Sequence, residues 1–429
     1  SRSLAREFLE GAGPVLEWVR PEMDGSPYGC LLPSVSEMSG NPESDSLVYA
    51  IYPNYGMRTA LAGLAGMARE SGLTREAARL ADLHDRLSAS ILDWLVSGKG
   101  AWHQSGAQTG YEQPSPVPPG CWINGIDGRN GREHLFSEWG GTSWPVYRWT
   151  RQVPFVFDSD LGRLGVEDDE FRSVQQGSYD YLHEGMCRSR FFRKYGFVSN
   201  TAWTGMGGRH DDTMCGYGQG LMTQAALLMD DINTYTRLVE GMARLAYDGD
   251  VVRPLAFDMN PWVFHECFNY QNFEEGLDHT FGVLGEGRYG IMDNPGDEGN
   301  LVQEAEALKA MTLMAGIDDS RPGQLRILPR LPWHWDRIEV RDFPFILGDG
   351  QAGRIEYVLE HERWLRKASL SIRTSIPVPD AAVRIGPFPS RLAFRETDTA
   401  RIERSRGGTW VWVTGLSGTE MEGTVDLDA

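Results

Sequence analysis

The chain of 429 residues lacks the spacings that mark most metal and cofactor chemistry. Its five cysteines, Cys30, Cys121, Cys187, Cys215 and Cys267, are far apart and odd in number, and no C-x-x-C pair occurs. Neither a disulfide framework nor a zinc ribbon is indicated, so most are read as small buried apolar residues. No G-x-G-x-x-G stands between a strand and a helix, and G-x-x-x-x-G-K-[ST], H-E-x-x-H and G-x-S-x-G are all missing. DGRNG at 127–131 lacks the ladder of oxygen ligands and the distal glutamate that a calcium loop needs. No organic cofactor and no bound metal is therefore expected. Basic residues are also short, 41 Lys and Arg against 60 Asp and Glu for a formal charge of -19. That field disfavours nucleic-acid backbones and anionic membranes as partners. No run approaches the 18 apolar residues of a membrane span, and Arg6, Glu7, Glu10 and Glu17 break any signal-peptide pattern at the start. Because the chain opens directly in helical pattern, further residues are expected upstream, which leaves localisation open.

What is plentiful is tryptophan (14), tyrosine (15) and glycine (50). The central stretch, Trp203 to Asp230, reads WTGMGGRHDDTMCGYGQGLMTQAALLMD. A glycine- and tryptophan-bearing loop delivers His210, Asp211 and Asp212 to a helix, placed at 211–229, that is apolar on nearly every side and so must be buried all round. Acids there sit beside the positive end of the helix dipole and its unpaired N–H groups. An amphipathic helix at 231–247 follows. The same sequence of one buried and one amphipathic helix occurs at 56–71 and 74–96, each pair joined by a short turn that makes its members antiparallel neighbours. An earlier helix at 4–19 is disturbed by Gly11, Gly13 and Pro14 and stopped by Pro21. Further helices are expected at 167–190 and from Leu301, where Asn300 and Gln303 form a capping box and Gly316 a left-handed C-cap. In the last of these Leu301, Ala305, Leu308 and Ala315 define the buried stripe, with Glu306 and Lys309 pointing away from it. From Gln324 onward short period-2 segments dominate, which reads as an antiparallel β-domain, a sandwich, over 323–429.

Paired carboxylates are the chemistry on offer. Glu37, Asp45, Asp211, Asp212, Glu266, Asp297 and Glu298 fall in loops or just before buried helices. Two carboxylates facing one another can cleave a glycosidic bond, one as acid and one as base or nucleophile; a gap of roughly 6.5–9.5 Å gives inversion and about 5 Å retention. The catalytic candidates are Asp211, Glu298, Glu266 and Glu37. Plainer alternatives stand beside them: Asp45, Asp211 and Asp212 can simply cap helices, Glu266 can sit in an internal salt bridge, and Glu37 can face solvent, whereas Glu298, two residues before Asn300, is not the cap and is free to point into a cavity. Trp139, Trp144, Trp203, Trp262, Tyr52 and Tyr270 offer apolar faces to sugar rings, or core filling. His210, His265 and Asp212 can bind sugar hydroxyls, or a histidine can satisfy a local carbonyl.

These segments, in this order, resemble the (α/α)6-barrel glycoside hydrolases, the superfamily of glucoamylases, trehalases, GH63-type glucosidases and α-L-rhamnosidases. The likeness rests on YGCLLPSVSEMSGNPESD before a Leu/Ala/Gly-rich helix, FSEWGGTSWPV, HDDTMCGYGQGLMTQAALLMDD, GDEGNLVQEAEALKAMTLMAGID and LRILPRLPWHW, and covers roughly residues 1–350. It implies a mainly α fold: an (α/α)6 toroid of inner and outer helices over 1–322, followed by the β-domain over 323–429. About seven or eight helices are legible where a full ring needs twelve, so the first hairpins are expected upstream or within the loop-rich regions. The resemblance also implies an acidic pair without a cofactor, one carboxylate ahead of a late helix (Glu298 or Glu266) and its partner from an earlier loop (Asp211 or Glu37). The expected activity is exo-hydrolysis of a terminal sugar in an oligosaccharide or glycoside. Two other classes stay open: a polysaccharide lyase with Tyr217 near Arg209 and His210, and a non-catalytic carbohydrate-binding protein.

Overall fold

A computed structural model describes residues 2–33, 48–98, 118–123, 125–127, 169–188, 190–196, 198, 213–247, 267–269, 301–319, 324–332, 334–347, 350–363, 367–389, 398–405 and 408–426. The chain divides into two compact units. The first comprises Ser1–Gly218, Gly249–Asn260 and His265–Glu298; the second comprises Gln219–Asp248, Pro261–Phe264 and Gly299–Ala429.

The first unit opens with α1 (Arg2–Asp24), an unbroken helix through Pro14 and Pro21. The expected break does not occur. Both prolines lie on exposed positions, while Leu9, Leu16, Val19 and Met23 bury one face and hold the helix together. On another side of the same helix Leu4, Phe8, Val15 and Trp18 remain exposed. After β1 (Val48–Ala50) come α2 (Ile51–Glu70) and α3 (Thr74–Trp94), the first expected hairpin. Its turn is set by Gly72 at φ +76, with Gly72 N–H donating to Arg69 O and Leu73 N–H to Ala68 O, which closes the end of α2. Ionic and polar contacts tie α1 to this hairpin: Arg6 donates to Ser71 O at 3.2 Å and Arg86 to Asp24 at 2.6 Å. Then follow β2 (Gly125–Asp127), α4 (Asp169–Arg188), α5 (Arg190–Tyr195) and β3 (Thr213–Cys215). Gly216 begins α6 (Gly216–Leu228), most of which belongs to the second unit; β4 (Cys267–Asn269) returns to the first.

The second unit packs α6, α7 (Ile232–Tyr247) and α8 (Leu301–Ala315) with a seven-stranded sheet. Its strands are β5 (Ile317–Asp318), β6 (Leu325–Ile327), β7 (Arg337–Ile346), β8 (Ala352–Glu362), β9 (Lys367–Phe388), β10 (Ala400–Ser405) and β11 (Gly408–Asp426). Neighbours run β10-β11-β9-β6-β5, with β8 joining both β9 and β7. All pairs are antiparallel except β6 with β9, which run parallel, so the sheet is mixed and not the antiparallel one expected. Along β8 the residues Gly353, Ile355, Tyr357, Leu359 and His361 are buried and alternate with outward ones, the period-2 pattern visible in the sequence. Tyr357 then reaches beyond the sheet, donating to Ala315 O at the end of α8 at 2.6 Å.

The (α/α)6 toroid is not what forms. Among the described residues the helices fall short of twelve, and the largest continuous element is the mixed sheet, whose strands β9 and β11 run for 22 and 19 residues. Two buried-plus-amphipathic hairpins, α2–α3 and α6–α7, do occur, but such a hairpin buries its apolar helix equally well against a sheet. The stripe expected on α8 is also rotated. Glu306, Ala307, Ala310, Leu313 and, as expected, Ala315 are buried, whereas Ala305, Leu308 and Met311 are exposed. The cause is a close crossing with α6: Gly220 has no side chain where a Cβ would meet Glu306 Cβ at 2.5 Å and its carbonyl carbon at 2.7 Å. The Glu306 carboxylate, only 4% exposed, accepts from Gln224 Nε2 at 2.7 Å and pairs with Lys309 at 2.8 Å.

A second set of polar contacts holds the α6–α7 turn. Asp230 adopts φ 53, a left-handed conformation that Asp tolerates better than most residues. Both its oxygens accept from Arg384 of β9, at 2.9 and 2.6 Å. Arg384 also donates to both oxygens of Glu403 on β10, and its guanidinium lies 3.9 Å from the ring centroid of Trp410.

Two outcomes are expected in denaturant unfolding of the whole chain. Gly220→Ala destabilises, because overpacking at a helix crossing costs about 1–3 kcal/mol and exceeds the roughly 1 kcal/mol that alanine gains over glycine in a helix. Arg384→Met costs about 3 kcal/mol, the lower end for a broken buried pair, since Glu403 is 40% exposed and water can take over part of its charge.

Candidate active site

The described backbone flanks the segments that carry the candidate carboxylates. Before Glu37, the chain is pinned at two places. Cys30 N–H donates to Ser90 Oγ of α3 at 2.8 Å, and Gly29, at φ +72, passes so close to Ser90 that a Cβ would meet its Oγ at 2.5 Å. Leu32 is clasped by Asn54 in the first turn of α2: Leu32 N–H donates to Asn54 Oδ1 at 2.7 Å, and Asn54 Nδ2 donates to Leu32 O at 3.1 Å and Ala50 O at 2.8 Å. Past that segment the chain re-enters as β1, where Val48 pairs with Asp127 of β2. The residue that ends the Glu37 loop therefore lies opposite the residue that begins the loop of Trp139 and Trp144.

A second ladder does the same for the central stretch. Thr213, the residue after Asp212, pairs with Asn269, the residue before Tyr270. Cys215 pairs with Cys267, the residue after Glu266. The helix expected from 211 starts instead at Gly216, with three strand residues in between and no acid in its first turn. Asp211 and Asp212 therefore precede its first residue by five and four positions.

Glu37, Asp211, Glu266 and Glu298 themselves lie outside the described residues, as do His210, Asp212, His265, Trp139, Trp144, Trp203, Trp262 and Tyr270. Tyr52 lies in the first turn of α2. The two ladders bring the ends of their segments together and leave the side chains as expectations.

Behind β1 and β2 the first unit holds a cluster that the sequence reading passed over. Tyr55 and Arg58 of α2, Trp122 beside β2, and Phe171 and Gln175 of α4 are all buried. Tyr55 and Trp122 meet edge-on at 6.1 Å between centroids, and Gln175 Nε2 donates to Tyr55 Oη at 2.7 Å. Ser178 fixes the strap that carries Trp122, accepting from its N–H at 2.8 Å. Beside it, burial pushes the Cys121 thiol up to about 11, with the charge of Asp180 adding to the effect. The Arg58 guanidinium lies 3.8 Å from the Phe171 centroid and donates through Nε to Ser88 at 2.9 Å. Among the described residues its Nη1 and Trp122 Nε1 meet no acceptor, and none of the carboxylates lies within ion-pair distance of Arg58. A buried cation is costly to desolvate, and the ring faces of Phe171 and Tyr55 offset part of that cost. The signal was present in the sequence: Arg58 is a lone cation in the otherwise apolar middle of α2, IYPNYGMRTALAGLAG. Among the described residues no group of three or more His, Cys, Asp or Glu side chains is placed to hold a metal ion. No described helix is long and apolar enough to cross a membrane.

No family model matches the chain, and no match is found among curated proteins. Among solved structures it is similar to an α-L-rhamnosidase from Dictyoglumus thermophilum, at 10% identity and a TM-score of 0.41. The alignment covers 86% of this chain and 31% of that one, so the chain spans about a third of the length of the protein it matches. Nothing about activity is drawn from a likeness this distant.

Replacing Arg58 tests whether its charge is unpaired. Arg58→Met is expected to leave stability unchanged or raise it by about 1–4 kcal/mol, as when apolar residues replace buried ions. A loss of about 3 kcal/mol or more in denaturant unfolding would show that the cation has an anionic partner.

Proposed function

We propose that the chain is a glycoside hydrolase, acting from the end of an oligosaccharide or glycoside by carboxylate acid–base chemistry without an organic cofactor. The observation that supports this best is the β3–β4 ladder. It joins the segment that leaves Asp211 and Asp212 to the segment that leaves Glu266. The strands are antiparallel, so Asp211 and Asp212 precede Thr213 at the end of the ladder where Asn269 runs on to Tyr270, and Glu266 precedes Cys267 at the other end. The ladder thus anchors both acid-bearing segments on one short support. α6 begins at Gly216 with no acid in its first turn, which leaves Asp211 available for the same chemistry, and the segment that carries Trp139 and Trp144 follows directly on β2.

In this reading Asp211 is one member of the pair, and Glu266 or Glu298 is the other. Glu37 is an alternative partner from the earlier loop. His210, Asp212 and His265 hold sugar hydroxyls, and Trp139, Trp144, Trp203, Trp262, Tyr52 and Tyr270 supply ring faces. Residues 1–322 carry the reaction and 323–429 brace it, a role consistent with the grip of Arg384 on the Asp230 turn.

The test is hydrolysis of a panel of aryl glycosides and oligosaccharides by the chain and by Asp211→Asn, Glu266→Gln and Glu298→Gln. Loss of a general acid or base lowers kcat by about 10²- to 10⁴-fold, so Asp211→Asn and one of the two glutamine variants are expected to fall by that amount with thermal unfolding unchanged. Activity retained by all three variants would sink the assignment of the pair. An unsaturated product released from a uronate polymer, with no hydrolysis of the panel, would replace hydrolysis with elimination.

A further inference from the structure

The β3–β4 ladder sets two cysteines, separated by more than fifty residues of sequence, directly across from one another: Cys215 and Cys267 are Cα partners in its register. We propose that Cys215 and Cys267 are a redox pair that forms a disulfide across this ladder. The inference stands independently of any activity.

Geometry is the main support. Directly paired residues of an antiparallel ladder have Cα atoms about 4.5 or 5.5 Å apart, depending on the hydrogen-bonding position. Both values fall within the roughly 4.4–6.8 Å that a disulfide spans. Directly opposed residues also share one face of the ladder. No backbone movement is then needed to bring the two positions within bonding distance.

The other cysteines do not compete. Cys30, Cys121 and Cys187 form no disulfide among the described residues. Cys30 and Cys121 are buried, and the raised thiol of Cys121 disfavours the thiolate that exchange requires. Cys187 has His183 Nε2 at 3.4 Å from its sulfur, one turn away on α4.

The oxidant is a low-molecular-weight disulfide. One cysteine of the pair attacks it as thiolate, forming a mixed disulfide and expelling one small thiolate. The second cysteine, also as thiolate, attacks the cysteine sulfur of that mixed disulfide; the bond between positions 215 and 267 forms and the second small thiolate leaves. Two electrons pass from the cysteine pair to the oxidant, and the two protons released end on the two small thiols. The product closes the covalent loop from 215 to 267, fastening the bases of the segments that lead away from Asp212 and Glu266.

The experiment uses the full chain in its native state, incubated with oxidised glutathione or with a reductant, then alkylated, digested with trypsin without reduction and analysed by mass spectrometry. Oxidation is expected to link peptide 210–237, which carries Cys215, to peptide 245–288, which carries Cys267, and to lower the thiol count in denaturant from five to three. Cys215→Ser should abolish that linkage and leave Cys267 as a glutathione adduct. Five thiols after oxidation would overturn the proposal. So would stable glutathione adducts on both wild-type cysteines, or a linkage of either one to Cys30, Cys121 or Cys187.

Discussion

Arg384 carries the second unit's most consequential polar contact. Its guanidinium engages Asp230 through two parallel hydrogen bonds while also meeting Glu403, so three elements, the α6–α7 turn, β9 and β10, converge on one planar cation. Arg330 adds a second buried cation, 3.9 Å from Asp230, and burial lowers its pKa below the usual arginine value. Two arginines face two carboxylates, which keeps the buried charge balanced. The fork geometry of arginine matches a carboxylate in a way that lysine does not. Desolvation absorbs much of the Coulombic gain of such a group. What it supplies instead is discrimination: the left-handed Asp230 is held where its carboxylate must meet Arg384, and a turn one residue out of place would leave both charges stranded.

In the first unit the comparable constraint is mechanical. Asn54 uses both ends of its amide to fix Leu32, and Ser90 holds Cys30. These are neutral, directional bonds to backbone, so they fix where the segment towards Glu37 starts without adding field to the site. The aromatic packing around Tyr55, Trp122 and Phe171 stiffens the platform behind β1 and β2. Short two-stranded ladders then serve as clamps at the feet of the segments that carry the candidate residues. A clamp of three residues is too small to be stable alone, and each one here continues into a helix, α2 after β1 and α6 after β3.

The hairpins α2–α3 and α6–α7 were legible because their periodicity is local, and the alternation along β8 was legible for the same reason. Elements defined by distant partners were not. The three residues of β3 look like the start of α6 until Cys267–Asn269 pairs with them. The segments TWVWVTG and GTVDLD read as separate strands because Gly415 and Gly418 interrupt them, yet both belong to β11, which absorbs the glycines at register shifts. The orientation of α8 was misjudged because hydropathy places Leu308 inside and Glu306 outside, whereas the absence of a side chain at Gly220 decides which face can approach. The ring was inferred from an inner–outer rhythm that a helical hairpin packed with a sheet satisfies equally well. Of the candidate site, the sequence offered residue types and loop positions. It could not offer the registers that join the ends of those loops.

The parallel pairing of β6 with β9 has a bearing on how the chain assembles. The pairs β7–β8, β8–β9 and β10–β11 join strands adjacent in sequence and can zip from their turns. Leu325–Ile327, however, registers with Ala381–Val383, more than fifty residues later and across the whole β7–β8 hairpin. That contact must wait until the intervening chain is made and folded back, since loop closure is repaid only when both partners are in place. Until then, as the chain emerges, the hydrogen-bonding edge of β6 that β9 will occupy stays open to any other extended segment. The last stitch in the sheet is therefore also its period of greatest exposure to mispairing.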